Sequence, residues 1–84
     1  MKLYRICTEN IGYAWITKTV AEHFESFTII KAEGYWHGHS EHSLIIEIVT
    51  DDYDSIIKLS YRIKKENRQE SVLVQVLDVE AKFV

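Results

Sequence analysis

His37, His39, Glu41 and His42 stand in an H-x-H-x-E-H pattern that suits a divalent metal such as Zn or Cu. They include three of the chain's four histidines. In an extended segment, alternation puts His37, His39 and Glu41 on one side, whereas a turn scatters them and leaves solvated polar residues. A full coordination shell would draw on symmetry-related copies or on a carboxylate such as Glu9 or Glu70. Tyr35 and Trp36, if they meet Tyr13 and Trp15, would form an aromatic wall for stacking a flat ligand; the alternative is packing in a core or subunit interface.

Gly34 and Gly38 permit either close backbone approach to a ligand or a bulge and a turn. Glu9, Asn10 and Glu41 are the polar anchors expected nearest to them. Covalent catalysis is not expected. Cys7 lies mid-strand and His23 on a helical core stripe, so no thiolate-imidazole pair is indicated. Asp51, Asp52 and Asp54 read as helix-start acids, and no P-loop, G-x-S-x-G or H-E-x-x-H motif occurs.

Periodicity locates the elements that must position these groups. Lys2 to Thr8 alternates as a strand, with Tyr4, Ile6 and Thr8 on one face and Leu3, Arg5 and Cys7 on the other. Ile16, Val20 and Phe24 recur at helical spacing, so a helix is expected from about Ile11 to Glu25 with Asn10 as its cap. Ser26 to Val49 reads as a β-hairpin, its apolar arms joined by the polar stretch GYWHGHSEHS. Thr50 is a candidate cap for a second helix bearing Tyr53, Ile56, Ile57, Ser60 and Ile63, which Asn67 can end. Ser71 to about Val79 is a β-branched strand, with a tail to Val84 that could extend it.

The order β, α, β, β, α, β predicts an α+β ferredoxin-like sandwich, a four-stranded antiparallel sheet with both helices on one face. That topology gathers Glu9 to Gly12, the hairpin tip from Trp36 to His42, and the turn from Asn67 to Glu70 at one end. A shared site is expected there.

The 84 residues allow one domain with one small core. A net charge of −3 without a basic run argues against nucleic-acid and anionic-membrane partners. One cysteine and no spanning apolar run fit a cytoplasmic setting. Ile29 with Ile30, Ile45 with Ile46, and Val72 to Val74 put apolar side chains on both sheet faces. Burying each is worth roughly 1.5–3 kcal/mol, so the second face is expected to pack on another copy, or else under Tyr and Lys side-chain stems or the tail from Ala81 to Val84.

The run TIIKAEGYWHG from Thr28 to Gly38, followed by LIIEIVTDD from Leu44 to Asp52, resembles the PII-like nitrogen-regulatory proteins. The set YWHG, Glu41, LIIEI, Ile63, Lys64, Asn67 and Glu70 is similar to the CutA-like proteins, so the likeness spans about Thr28 to Val74. It implies a homotrimer of ferredoxin-like subunits with sheets lining a central core, binding a ligand between subunits. Thr28, Gly34 and Gly38 match the backbone part of the PII-like motif. The long mobile loop and phosphate-holding cations of that group are replaced here by His37, Gly38, His39 and Ser40, and Trp36 stands where a small residue is expected. Tight ATP binding is therefore not expected unless a cation such as Arg68 of a neighbouring subunit completes the site. The CutA-like resemblance implies a link to divalent cations. The expected function is a non-enzymatic ligand-binding or regulatory module, the alternatives being a metal-binding protein or an accessory protein that presents a surface to a partner.

Overall fold

Two central strands carry the core because their alternating side chains all point at the helices. The computed structural model describes residues 1–84. Its elements are β1 (Lys2–Glu9), α1 (Tyr13–His23), β2 (Thr28–Trp36), β3 (His39–Thr50), α2 (Tyr53–Glu66) and β4 (Leu73–Asp78). The sheet order is β2-β3-β1-β4 with every pairing antiparallel, which is the ferredoxin-like arrangement. Tyr4 and Ile6 of β1, with Leu44, Ile46 and Ile48 of β3, form one cluster with Ile16 and Val20 of α1 and Ile56, Leu59 and Ile63 of α2. Both helices therefore cover one face. Across their outer surface, Arg62 pairs with Glu22 at 2.6 Å and Glu66 at 3.3 Å, linking α1 to α2.

The helix starts differ from the sequence expectation for a backbone reason. Asn10 does not cap α1; its amide donates to the His42 carbonyl at 2.8 Å, continuing the β1–β3 ladder one residue further. Gly12 takes the cap position, and α1 starts at Tyr13 rather than Ile11. The Trp15 ring fills the space that a side chain at Gly12 would occupy. At α2, the capping residue is Asp52 rather than Thr50. The Asp52 carboxylate accepts from the Ser55 amide at 3.1 Å and the Ser55 hydroxyl at 2.6 Å, while the Thr50 hydroxyl accepts from the Asp52 amide. Those two bonds hold the Asp52 carboxyl below the usual carboxylate range. The stabilisation they give is present above the normal aspartate pKa and fades as pH falls through the depressed one.

The hairpin connection is far shorter than GYWHGHSEHS. It is a two-residue turn, His37 at φ 50° and Gly38 at φ 80°, and Gly34 to Trp36 and His39 to Ser43 lie in the strands. Two successive positive φ angles make the type I′ turn whose twist matches the flanking strands, so a two-residue turn suffices. At the other end of the chain, β4 stops at Asp78 and the tail leaves the sheet. Phe83 is 94% exposed, so the tail does not cover the bare face.

Ile46 is fully buried at the centre of the cluster. Replacing it with alanine is expected to lower unfolding free energy by about 2–5 kcal/mol. Urea denaturation followed by circular dichroism would measure this, with the midpoint falling and the slope unchanged.

Candidate ligand cleft

Three chain segments meet at one end of the sheet around a cleft of about 390 Å³. Cys7, Thr8 and Glu9 come from the end of β1. Gly34, Tyr35, Trp36, Glu41 and Ser43 come from the hairpin, and Arg68, Gln69, Glu70 and Ser71 from the α2–β4 connection, with Leu73 opening β4. The antiparallel topology forces this meeting, because the end of β1, the tip of the hairpin and the end of α2 all lie at the same edge.

A buried amide holds the third segment in place. Asn67, 6% exposed, donates through Nδ2 to Thr8 Oγ1 at 3.2 Å, the Glu9 carbonyl at 3.1 Å and Gln69 Oε1 at 2.9 Å. The Thr8 hydroxyl also bonds to Gln69 Oε1. The α2–β4 turn is thus tied to β1. The helix end itself is a Schellman motif: the Gln69 amide reaches the Lys64 carbonyl at 3.0 Å and the Arg68 amide the Lys65 carbonyl at 3.2 Å. That motif requires a left-handed residue, usually glycine. Here it is Arg68, at φ 53°. A bulky side chain in this region costs on the order of 1 kcal/mol, and such strain concentrates at ligand clamps.

Gly34 forms part of the cleft wall for a steric reason. A Cβ there would sit 2.5 Å from Ser43 Oγ, so the glycine makes room for that hydroxyl. The pairing of β2 with β3 runs from Thr28↔Glu47 to Trp36↔His39 without a skipped residue, so Gly34 is not a bulge. Gly38 belongs to the turn and lies outside the cleft.

The electrostatics of the lining are acidic. Glu9, Glu41 and Glu70 line it together with one basic residue, Arg68. Cys7 is half-buried, and that burial pushes its thiol up, with Arg5 opposing it more weakly. Such a thiol is a poor nucleophile at neutral pH. His23 is far from it in the fold, its Nε2 lying 3.4 Å from Arg62 Nη1.

Of the residues singled out by sequence, Glu9, Gly34, Tyr35, Trp36 and Glu41 lie on the cleft. Thr28 does not; six residues before Gly34, it sits about 20 Å away along β2. Asn10 is held in the ladder to His42, away from the lining. The aromatic wall is not assembled either. Tyr13 lies under the Lys31 ammonium, 4.6 Å from its ring centre, and Trp15 packs on the core. Tyr35 and Trp36 occupy opposite faces of β2, the Tyr35 hydroxyl donating to Glu33 at 2.7 Å and the Trp36 ring meeting His37 edge-on at 4.8 Å. The Glu33 bond raises the Tyr35 phenol above its ordinary range.

Within one subunit the three hairpin histidines do not converge. His37 is in the turn, His39 shares the open face with Glu41, and His42 shares the helix-side face with Leu44. No group of three or more His, Cys, Asp or Glu side chains is placed to hold a metal ion. Cys7, Thr8, Ser43, Ser71 and Leu73 are lining residues that sequence reasoning missed. Cys7, Ser43 and Leu73 were legible only through strand register, whereas Arg68 and Gln69 fall within the turn expected at the shared site.

No family model matches the chain, and no curated protein matches it. Solved structures do. One is CPII, a nitrogen regulatory PII-like protein from Thiomonas intermedia K12, bound to ADP, AMP and bicarbonate. It aligns at a TM-score of 0.70 and 15% identity over 99% of this chain and 93% of CPII. Another is a phage SAM lyase in its apo state, at a TM-score of 0.72 and 19% identity over 90% of this chain and 78% of the lyase. The chain therefore has the ferredoxin-like fold of the PII-like proteins, and that fold includes an enzyme as well as a regulator.

If Arg68 is strained as its φ indicates, Arg68→Gly should raise unfolding free energy by about 1 kcal/mol. The urea midpoint would move up in a protein that has lost the cleft's cation. An unchanged or lower midpoint would place the side chain's value in stability.

Proposed function

We propose that this chain is a small ligand-binding protein, acting as a cytoplasmic homotrimer, whose cleft takes a cationic, adenosine-bearing molecule with S-adenosylmethionine (SAM) as its type. The observation that carries the reading is the charge of the lining, three acidic residues, Glu9, Glu41 and Glu70, with one basic residue, Arg68. A polyphosphate would meet net repulsion there. SAM carries a sulfonium and an ammonium against a single carboxylate, which matches three acids and one arginine. Trp36, half exposed beside the cleft, offers a face for the adenine. The two structural neighbours supply the adenosine theme: one holds ADP and AMP, the other acts on SAM. Of these ligands, the cleft's charge favours the second.

Binding rather than turnover is the primary reading. Cleaving a carbon–sulfur bond discharges the sulfonium, so carboxylates that hold the cation stabilise the bound ground state more than the transition state. A second reading, lyase activity, needs no protein nucleophile: the substrate's own carboxylate oxygen can attack the carbon next to the sulfonium, forming a lactone C–O bond as the C–S bond breaks and its electron pair leaves on the thioether sulfur. Positioning alone contributes substantially to such steps, and in this reading Arg68 orients the substrate's carboxylate. A metal-binding role draws no support from the geometry of one subunit.

Isothermal calorimetry with SAM, ADP and ATP, with and without magnesium, tests the proposal. SAM should bind at least roughly a hundredfold more tightly than either nucleotide, since losing two charge-assisted contacts costs about 3 kcal/mol or more. Glu41→Gln and Glu70→Gln should each weaken SAM by about tenfold, close to 1.4 kcal/mol. Nucleotide binding tighter than SAM binding would overturn the charge argument. Mass spectrometry of the same mixtures separates the two readings, since a thioether nucleoside product would assign the lyase.

A further inference from the structure

Gly34 lies inside β2, in unbroken register opposite Glu41, and its φ is not positive, so neither a turn nor a bulge requires a glycine there. A strand interior is weakened by one. The space that a Cβ would take is held instead by Ser43 of β3, whose Oγ would lie 2.5 Å from that Cβ and whose own Cβ would lie 3.6 Å from it. The hydroxyl therefore leans over Gly34. Register pairs Ser43 with Ala32, so a lean towards Gly34 carries the hydroxyl along the hairpin towards its tip and Trp36.

Parity puts these groups on one face. Ala32, Gly34 and Trp36 alternate on the side of the sheet away from the helices, as do Glu41 and Ser43 opposite them, and all but Ala32 line the cleft. Trp36, 53% exposed, stands two residues beyond the glycine. Its ring bounds a notch whose floor is the Gly34 backbone and whose far side is the Ser43 hydroxyl. Two other hydroxyls on the cleft are engaged elsewhere, that of Thr8 with Gln69 and that of Tyr35 with Glu33. The Ser43 hydroxyl is left to the notch. Packing alone does not call for this arrangement, because with a Cβ at position 34 the serine could turn to another staggered rotamer. The glycine keeps open the one rotamer that reaches towards Trp36.

We propose that Gly34, Trp36 and Ser43 form the subsite for the base of the cleft's ligand, with the ring stacked on the indole and its polar edge over Gly34, hydrogen-bonded to Ser43 Oγ. This rests on the adenosine-bearing ligand proposed above and names the residues that read its base. A hydroxyl both donates and accepts, which suits a purine edge where a ring-nitrogen acceptor and an exocyclic amino donor stand side by side. Glu41, whose Cγ would lie 3.7 Å from a Cβ at Gly34, borders the same notch, and its carboxylate only accepts. The notch thus favours the amino group of adenine over the oxo group of hypoxanthine.

Three probes separate the base from the charged end in calorimetry on the full chain. SAM carries both, methylthioadenosine keeps the nucleoside alone, and S-methylmethionine keeps the sulfonium, ammonium and carboxylate alone. Ser43→Ala and Gly34→Ala should each weaken SAM and methylthioadenosine by roughly three- to tenfold, the size of one neutral hydrogen bond, and leave S-methylmethionine as in wild type. Because the glycine acts through the hydroxyl, the double variant should bind no more weakly than Ser43→Ala alone. Methylthioinosine should bind wild type more weakly than methylthioadenosine. Ser43→Ala adds no atoms, so it carries the test even where a Cβ at position 34 disturbs the hairpin. Methylthioadenosine binding that is unchanged in Ser43→Ala, fully additive losses in the double variant, or no methylthioadenosine binding to wild type would each overturn the subsite. The charge reading fails separately: SAM that binds no better than ATP, beside methylthioadenosine that still responds to Ser43→Ala, would leave the base subsite standing on a lining whose charge does not choose the ligand.

Discussion

The pairing of β1 with β3 is the constraint on which the rest of this molecule depends. Its register, Ile6↔Ile46 with Tyr4↔Ile48 and Thr8↔Leu44, sends six side chains of two central strands to the helices at once. Since strand side chains alternate with a period of two, a slip of one residue would turn Arg5 and Cys7 into the core and set Ile6 in solvent. The same register holds Glu9 opposite Ser43 and so sets one wall of the cleft. It also lines up Arg5 with Glu47 on the bare face. Core, cleft and the Arg5–Glu47 pair are three results of one alignment.

Around that frame, the α2–β4 connection is where stability and binding pull apart. Asn67 satisfies a buried cluster of acceptors at Thr8, Glu9 and Gln69, and this fixes the direction in which the following residues leave the helix. An ordinary helix end would place glycine next, free of any penalty at positive φ. Arginine there puts a guanidinium on the cleft at the expense of local strain. That exchange is characteristic of positions selected for what they contact.

Charge separates this cleft from a nucleotide-phosphate site built on the same fold. A phosphate cradle combines backbone amides with fixed cations, whereas this lining retains the glycine and sets three carboxylates around it. Fold likeness at 15–19% identity does not choose between ligands, and two neighbours with different activities make that plain. Ligand choice has to be argued from the lining.

Much of the architecture was legible in one dimension. The strand alternation of Tyr4, Ile6 and Thr8, the helical stripe through Ile56 and Ile63, and the βαββαβ order were enough to place the sandwich and the end where segments converge, because period and order survive without coordinates. Boundaries were less legible where two local preferences compete. Asn10 could cap a helix or extend a strand, and the ladder to His42 prevailed because it satisfies two backbone groups in a growing sheet. The histidine cluster read as a unit because its members are close in sequence, yet a two-residue turn and strand parity send His37, His39 and His42 in different directions. Sequence by itself determined the fold class and which residues alternate to which face. Only the tertiary structure decided which residues from distant strands stand at the same height, and so set Arg5 opposite Glu47 and Glu9 opposite Ser43, because register across a sheet is a property of pairs of strands and not of any one of them.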